Sequence, residues 1–349
     1  MKKNILYIVE DRNVAQFRYR VLNVMEATEK SERYEVNMVM RDKLAEVKLE
    51  GVDLVVILRQ TAKDKTLLDF IRKTHERGIK VLFDLDDLIF DYKDLSILMK
   101  ATGSKNIFYW VSYVFGIRRI AKRVDGFITT NEFLAGKLER SFEKPCAVIL
   151  NSLNSSQVEI AEKEIAKKEH DGFMIGYFSG SPTHRRDLEM VEPEILKFLN
   201  AHEDAKFVMV GYMELSDEMK KMVGKKKVKI EKLVDYKKLI KKMAEVDVSI
   251  APLVINDFTN SKSELKFFEA AVVETTTIAS PTYAFSKAIV NKENGFLAKT
   301  GEWYEKIEYL YNNPNENRKI AKKAREYALK NYYGKKFLKE VEEAYELFG

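Results

Sequence analysis

The sequence predicts an α/β protein made of two consecutive domains, each built on a parallel sheet. Three observations carry that prediction. The chain has 349 residues, enough for about two domains at roughly 150 residues each. Its short apolar runs are nearly continuous rather than alternating, as strands covered on both faces are. Those runs alternate with longer amphipathic stretches, and the alternation starts again after a polar, charged interval.

The first set of strands is read at ILYIV (5–9), LVVIL (54–58), VLFDL (81–85), GFITT (126–130) and AVIL (147–150). Amphipathic stretches at 14–29, 64–78, 106–123 and 131–140 predict helices between them. Residues 153–170 read as an interdomain connection, polar at first and then charged. The second set is FMIGYF (173–178), KFVMVG (206–211), VKIEK (228–232), VSIAP (248–252), TTIAS (276–280) and GFLA (295–298). Helices are expected at 186–202, 215–223, 236–245 and 262–273, and again over 314–349. The expected division is therefore 1–152, then 153–170 as connection, then 171–330, with a last helix at 331–349.

Composition narrows the function classes. Charged residues at 33% and hydrophobic residues at 46% describe a globular chain. The net charge of +6 does not force a nucleic-acid partner, and no nucleic-acid motif accompanies the lysine-dense stretch Lys220–Lys242. A single cysteine, Cys146, excludes an intramolecular disulfide, and four histidines leave little for a multi-histidine zinc site. No run reaches the roughly 18 apolar residues of a membrane span. The opening apolar run is five residues long and meets Glu10 and Asp11, so it reads as a strand and not a signal peptide. The expected location is cytoplasmic.

Two adjacent α/β domains suggest a cleft, and ligands in such sheets sit at the carboxyl ends of strands. Helix N-termini collect there and suit phosphate. The segment DFTNSKSELKFFEAA (257–271) follows a strand and opens a helix. Ser261 with Glu264 fits a capping box. Lys262, Lys266 and Glu269 then fall on one helical face, an anion site with a carboxylate for a ribose. Asn260 and Ser263 can add donors. The alternative is a solvated Lys/Glu face. The segment IGYFSGSPTHRRDLEMV (175–191) ends a strand in small residues, Gly180 and Ser181, followed by His184 and Arg185. Small residues let backbone N–H groups approach a phosphate, and Asp187 is a candidate cap for the next helix. The alternative is a plain strand–helix turn.

In the first half, Asp84, Asp86 and Asp87 end a strand and are expected to point toward the cleft. Arg18 and Arg20 follow the first strand and either face the cleft or form a surface pair. The stretch IFYWVSYVFGIRRIAKR (107–123) is either a buried helix or an interfacial one, aromatic side down, with Arg118, Arg119, Lys122 and Arg123 at anionic headgroups.

These segments, in order, resemble the donor domain of GT-B glycosyltransferases, especially the retaining glycosyltransferase family 4 (glycosyl transferases group 1). The resemblance covers 171–335 well: the loop after 175–178, DVSIAPL (247–253), KSELKFFEAAVVETTTIAS (262–280) and NGFLA (294–298). It implies two Rossmann-like domains facing each other across a cleft, with a C-terminal helix returning to the first. It implies that Glu269 holds the donor ribose and that Lys266 or Lys262 neutralises the donor diphosphate, with His184 or Arg185 beside it. Asn260, Lys262, Ser263, Lys266 and Glu269 match a subgroup motif. Ser261 stands where the family has the first Glu of Glu-x7-Glu, and Glu274-Thr275 replaces a common Gly-Pro-type turn.

The expected activity is transfer of a sugar from a nucleotide-diphosphate sugar, the co-substrate, to a glycan, lipid-linked or protein-linked acceptor, with retention. Lys266, Lys262, His184 and Asp86 are the expected catalytic residues. Gly180, Ser181, Arg185, Asn260, Ser261, Ser263 and Glu269 are the expected donor contacts. Arg18, Arg20, Asp84 and Asp87 are expected on the acceptor side. No metal or other cofactor is expected, the role envisaged is polysaccharide biosynthesis, and peripheral contact with an anionic membrane is allowed for. The missing first Glu keeps a second reading open, a non-catalytic partner subunit of another transferase; a nucleotide-sugar epimerase is a third.

Overall fold

The computed structural model describes residues 2–62, 64–167, 172–179, 185–211 and 214–349. The chain forms two compact units. The first comprises Met1–Ser152, Asn260–Ser263 and Tyr332–Gly349, and the second Leu153–Thr259 and Glu264–Asn331.

The first unit holds β1 (Lys3–Val9), β2 (Tyr34–Met40), β3 (Leu54–Leu58), β4 (Lys80–Asp84), β5 (Gly126–Thr129) and β6 (Cys146–Val148). They pair in the order β2-β1-β3-β4-β5-β6, every pair parallel. Strand β2 is not among the strands expected from sequence. It is a sheet edge whose residues alternate buried and exposed at its start, so it lacks the continuous apolar run that marks its neighbours. Val56 on β3, a buried strand throughout, is fully enclosed. The C-terminal helix Lys335–Glu346 supplies Phe337, Val341, Ala344 and Tyr345 to this unit's core. The Tyr345 and Tyr7 hydroxyls meet there at 3.0 Å. Gly334, at φ 69°, breaks the helical stretch expected over 314–349 into Pro314–Tyr332 and Lys335–Glu346.

The second unit holds β7 (Phe173–Ser179), β8 (Ala205–Gly211), β9 (Val228–Glu231), β10 (Val248–Ala251), β11 (Thr276–Ala279) and β12 (Phe296–Leu297). Their order is β12-β11-β10-β7-β8-β9, again all parallel. This is the doubly wound nucleotide-binding order, with its reversal between β7 and β10. The core packs Tyr177, Phe198, Phe207, Ile250, Ile278 and Trp303.

Several expected helices are interrupted. The stretch 186–202 divides into Arg185–Glu189 and Glu192–Ala201, with Pro193 in the first turn of the second helix, where its missing N–H costs nothing. The stretch 153–170, expected as a connection, contains a helix, Ser155–Ile165, with a full Asn154/Gln157 capping box. Glu274 takes φ 54°. That left-handed conformation suits glycine, and it falls where the resemblance expects a Gly-Pro-type turn.

Candidate functional site

In the first unit the carboxyl ends of the strands gather charges that satisfy one another. The helical stretch after β1 contains a π turn, Arg18–Leu22, a widening often found where a side chain must be re-aimed. Arg20 is 1% exposed. Its Nε donates to both carboxylate oxygens of Asp84, at 3.0 and 3.1 Å. Nη1 donates to the Ile149 carbonyl and to Asn151 Oδ1, and Nη2 to the Thr129 carbonyl. One guanidinium thereby ties together the ends of β4, β5 and β6. Burial pushes the Asp84 carboxyl up to about 6, against the pull of Arg20. Arg18 and Arg20, expected either to face the cleft together or to form a surface pair, are divided: Arg18 is half-buried with its guanidinium over the Tyr19 ring, and Arg20 is enclosed. Asp84 is likewise turned inward and not toward solvent.

A second cluster lies beside it. Arg59, just past β3, reaches Asp86 at 3.0 Å and Asp87 at 2.5 Å. Lys262 pairs with Asp87. Burial raises both carboxyls; for Asp87, Lys262 and Arg59 more than offset it, so Asp87 lies below its ordinary range and Asp86 above. The loop Asn260–Ser263 is held by Asn131, whose Nδ2 donates to the Lys262 carbonyl at 3.2 Å. Asn151 Nδ2 donates to Ser263 Oγ at 2.9 Å. Arg59, Asn131 and Asn151 were not among the residues expected from sequence to act here. A charged or amide residue within three positions of a strand's carboxyl end is the signal they share.

In the second unit the reversal point lies between β7 and β10. Gly211, at φ 118°, sits at the end of β8 where a Cβ would come within 1.8 Å of the Ser179 carbonyl oxygen. Only glycine allows that approach at the end of β7. The helix Leu265–Ala271 follows the loop after β10 and presents Lys266 and Glu269 three residues apart. Lys266 Nζ is buried and has no hydrogen-bond partner among the described residues. It lies 5.1 Å from the centre of the Tyr177 ring, whose face attracts cations. Burial pulls its pKa down to about 8, with Asp187 and Glu269 opposing. Glu269 is 2% exposed and accepts from Gln157 Nε2 at 3.1 Å. Gln157 comes from the capping box of the Ser155–Ile165 helix, a signal legible as N-x-x-Q.

Three local expectations change. The helix starts at Leu265 with Glu264 as its N-cap and no side-chain cap, so Ser261 and Glu264 make no capping box. Lys262 therefore precedes the helix and does not share a helical face with Lys266 and Glu269; its ammonium goes to Asp87. Asp187 lies inside a short helix and accepts from the Val254 backbone N–H at 2.9 Å, fastening the loop after β10 instead of capping. Gly180, Ser181 and His184 lie outside the described residues, and Arg185 opens a helix whose first side chain is not described.

Two doubly wound parallel units and a C-terminal helix in the first are the GT-B architecture of glycosyltransferases. Solved structures of that class match over the whole chain. HepE from Anabaena, solved in complex with UDP, is 12% identical with a TM-score of 0.66, covering 99% of each chain. Sucrose-phosphate synthase from Thermosynechococcus elongatus is 13% identical with a TM-score of 0.67, covering 99% of each chain. A glycosyltransferase from Rickettsia africae is 16% identical with a TM-score of 0.64, covering 99% of this chain and 98% of the other. No curated protein matches the sequence. Residues 174–313 match the family model described as Glycosyl transferases group 1. The chain has the GT-B fold, and within it the stretch 174–313 is similar to the glycosyl transferases of group 1.

Proposed function

We propose that the protein transfers a sugar from a nucleotide-diphosphate sugar to the hydroxyl of a glycan, lipid-linked or protein-linked acceptor, with retention, and that the second unit holds the donor. The observation that carries this reading is Lys266. A buried ammonium without a hydrogen-bond partner among the described residues is costly to keep. It is retained beside the β7/β10 reversal, where doubly wound sheets take nucleotides. A donor diphosphate supplies the missing hydrogen-bond acceptor. Glu269, already oriented by Gln157, takes the ribose hydroxyls. Gly180, Ser181, His184 and Arg185 follow β7 directly in the sequence and are proposed as further phosphate donors. The solved complexes of HepE with UDP and with UDP-glucose support a nucleoside-diphosphate donor.

The step is electrostatically driven. The bond from the sugar C1 to the diphosphate oxygen breaks, and a bond from C1 to the acceptor oxygen forms on the same face. Negative charge grows on the leaving diphosphate, where Lys266 stabilises it. That diphosphate takes the acceptor's proton, so no protein base is required. This fits the state of the first unit's carboxyls: Asp84 is committed to Arg20, and Asp87 to Lys262 and Arg59. Asp86, half-shielded beside Arg59, and Arg18 are proposed to bind acceptor hydroxyls. Lys262 acts by fixing its loop.

The test is calorimetric titration of UDP, GDP, TDP and CMP into the wild type and Lys266→Met. The wild type is expected to bind one diphosphate tightly, and the variant to lose about a hundredfold in affinity. Equal affinity in both, or no binding of any nucleotide to the wild type, defeats the reading.

A further inference from the structure

The helix Ile107–Ala121 leaves a large apolar face uncovered. Ile107 is 41% exposed, Phe108 84%, Tyr109 53%, Val111 40% and Phe115 55%. Val114, Ile117, Ile120 and Ala121 face the other way and are buried in the first unit. The seating is tight: a Cβ on Gly116 would approach Thr61 Cβ to 2.9 Å. Arg119 also donates to the Ala62 carbonyl at 2.9 Å, and Arg118 to the Phe90 carbonyl at 3.0 Å. The exposed face is therefore a fixed feature and not a helix awaiting a place in the core.

At 3.6 residues per turn, Phe108, Val111 and Phe115 form one stripe, and Arg119 and Lys122 continue it. Apolar side chains fill its first two turns and cations follow. From Leu95 to Val124 the sequence contains no Asp or Glu, but it contains Lys100, Lys105, Arg118, Arg119, Lys122 and Arg123. Lys100, Lys105, Lys122 and Arg123 are all exposed. Rings and cations without a carboxylate match the boundary between lipid tails and anionic headgroups. Among the described residues, no helix is long and apolar enough to cross a membrane, so the mode is surface attachment.

We infer that this helix docks the protein on an anionic bilayer, with Phe108, Val111 and Phe115 at the acyl boundary and the four exposed cations at the headgroups. The chain carries its own reporter. Of its two tryptophans, Trp303 is fully buried and Trp110 lies on this helix.

The experiment uses the full chain without substrate, so its outcome is independent of the donor reading. Vesicles of phosphatidylcholine alone are compared with vesicles containing about one third phosphatidylglycerol, by co-sedimentation and by quenching of Trp110 with brominated lipid. Binding to the anionic vesicles is expected to be at least about tenfold tighter, with quenching, and to weaken as salt rises. Phe108→Ser with Phe115→Ser should reduce it about tenfold or more while thermal unfolding stays unchanged. Lys105→Glu with Lys122→Glu should remove the preference for anionic lipid. Failure to bind anionic vesicles overturns the inference, as does binding without quenching or binding indifferent to the Phe variants. A dimer in buffer that Phe108→Ser dissociates also overturns it, since the face would then be a self-interface.

Discussion

Two buried cations, one in each unit, set the chemistry of this protein apart from its architecture. Arg20 in the first unit meets a carboxylate, a side-chain amide and two carbonyls. Lys266 in the second meets an aromatic face and no hydrogen-bond acceptor among the described residues. Both are charges in apolar surroundings, where leaving one unpaired is expensive. The satisfied one is explained by the fold. The other, without a hydrogen-bond partner among the described residues, is where we propose that the donor diphosphate binds. Burial alone does not separate a structural charge from a binding charge; the state of its hydrogen bonds does.

The largest expected effect tests the first half of that contrast. Arg20→Met should cost roughly 3–5 kcal/mol in urea unfolding, because Asp84 is left buried and unpaired. Adding Asp84→Leu should recover most of the loss. If the single variant is neutral, Arg20 is not the tie between β4, β5 and β6 described above.

Lys266→Met should do the reverse. Without nucleotide it should gain roughly 1–3 kcal/mol, since a strained charge is replaced by an apolar side chain of similar length. Its nucleotide affinity should nevertheless collapse. Loss of stability together with unchanged affinity would turn Lys266 into an ordinary structural residue.

The pH dependence follows with its sign. The folded pKa of Lys266 lies near 8, and an unfolded lysine titrates near about 10.4. The folding cost of Lys266 is fully present below pH 8 and is relieved as pH rises toward the unfolded value. The stability gap between wild type and Lys266→Met should therefore narrow above pH 8. Over the same range diphosphate affinity should fall, by up to about tenfold per pH unit, because the ammonium must be protonated to bind. Parallel titrations by calorimetry and thermal unfolding check both slopes, and a flat affinity profile would sever the link.

The smallest effect belongs to Asp87→Asn. It removes the carboxylate shared by Arg59 and Lys262 but leaves Asp86 to pair with Arg59. A loss of about 1–2 kcal/mol is expected, less than for Arg20, because Asp87 and Lys262 retain some contact with water.

Much of this was legible in the sequence, for reasons particular to each residue. Central strands such as LVVIL are apolar on both faces, so they announce themselves without a partner. Edge strand β2 does not, because its outer residues are polar. Lys266 and Glu269 were visible because three-residue spacing puts them on one helix face. Arg59, Asn131, Asn151 and Gln157 were not, because their partners lie far off in the chain: Gln157 and Glu269 are 112 residues apart. The Ser261/Glu264 motif was misleading for the same reason. Its loop is held by the distant amides Asn131 and Asn151, and the helix begins past it.

The sequence by itself determined the α/β class and the repetition of the strand–helix alternation. Those features depend on local periodicity and turn chemistry, which neighbouring residues set. Only the tertiary structure decided which charges pair with one another and which have no hydrogen-bond partner among the described residues. It separated Arg20 from Arg18 and Lys262 from Lys266, and it showed the aromatic face of the 107–121 helix uncovered. Pairing and burial depend on residues that the chain brings together from a distance, and no spacing rule encodes that meeting.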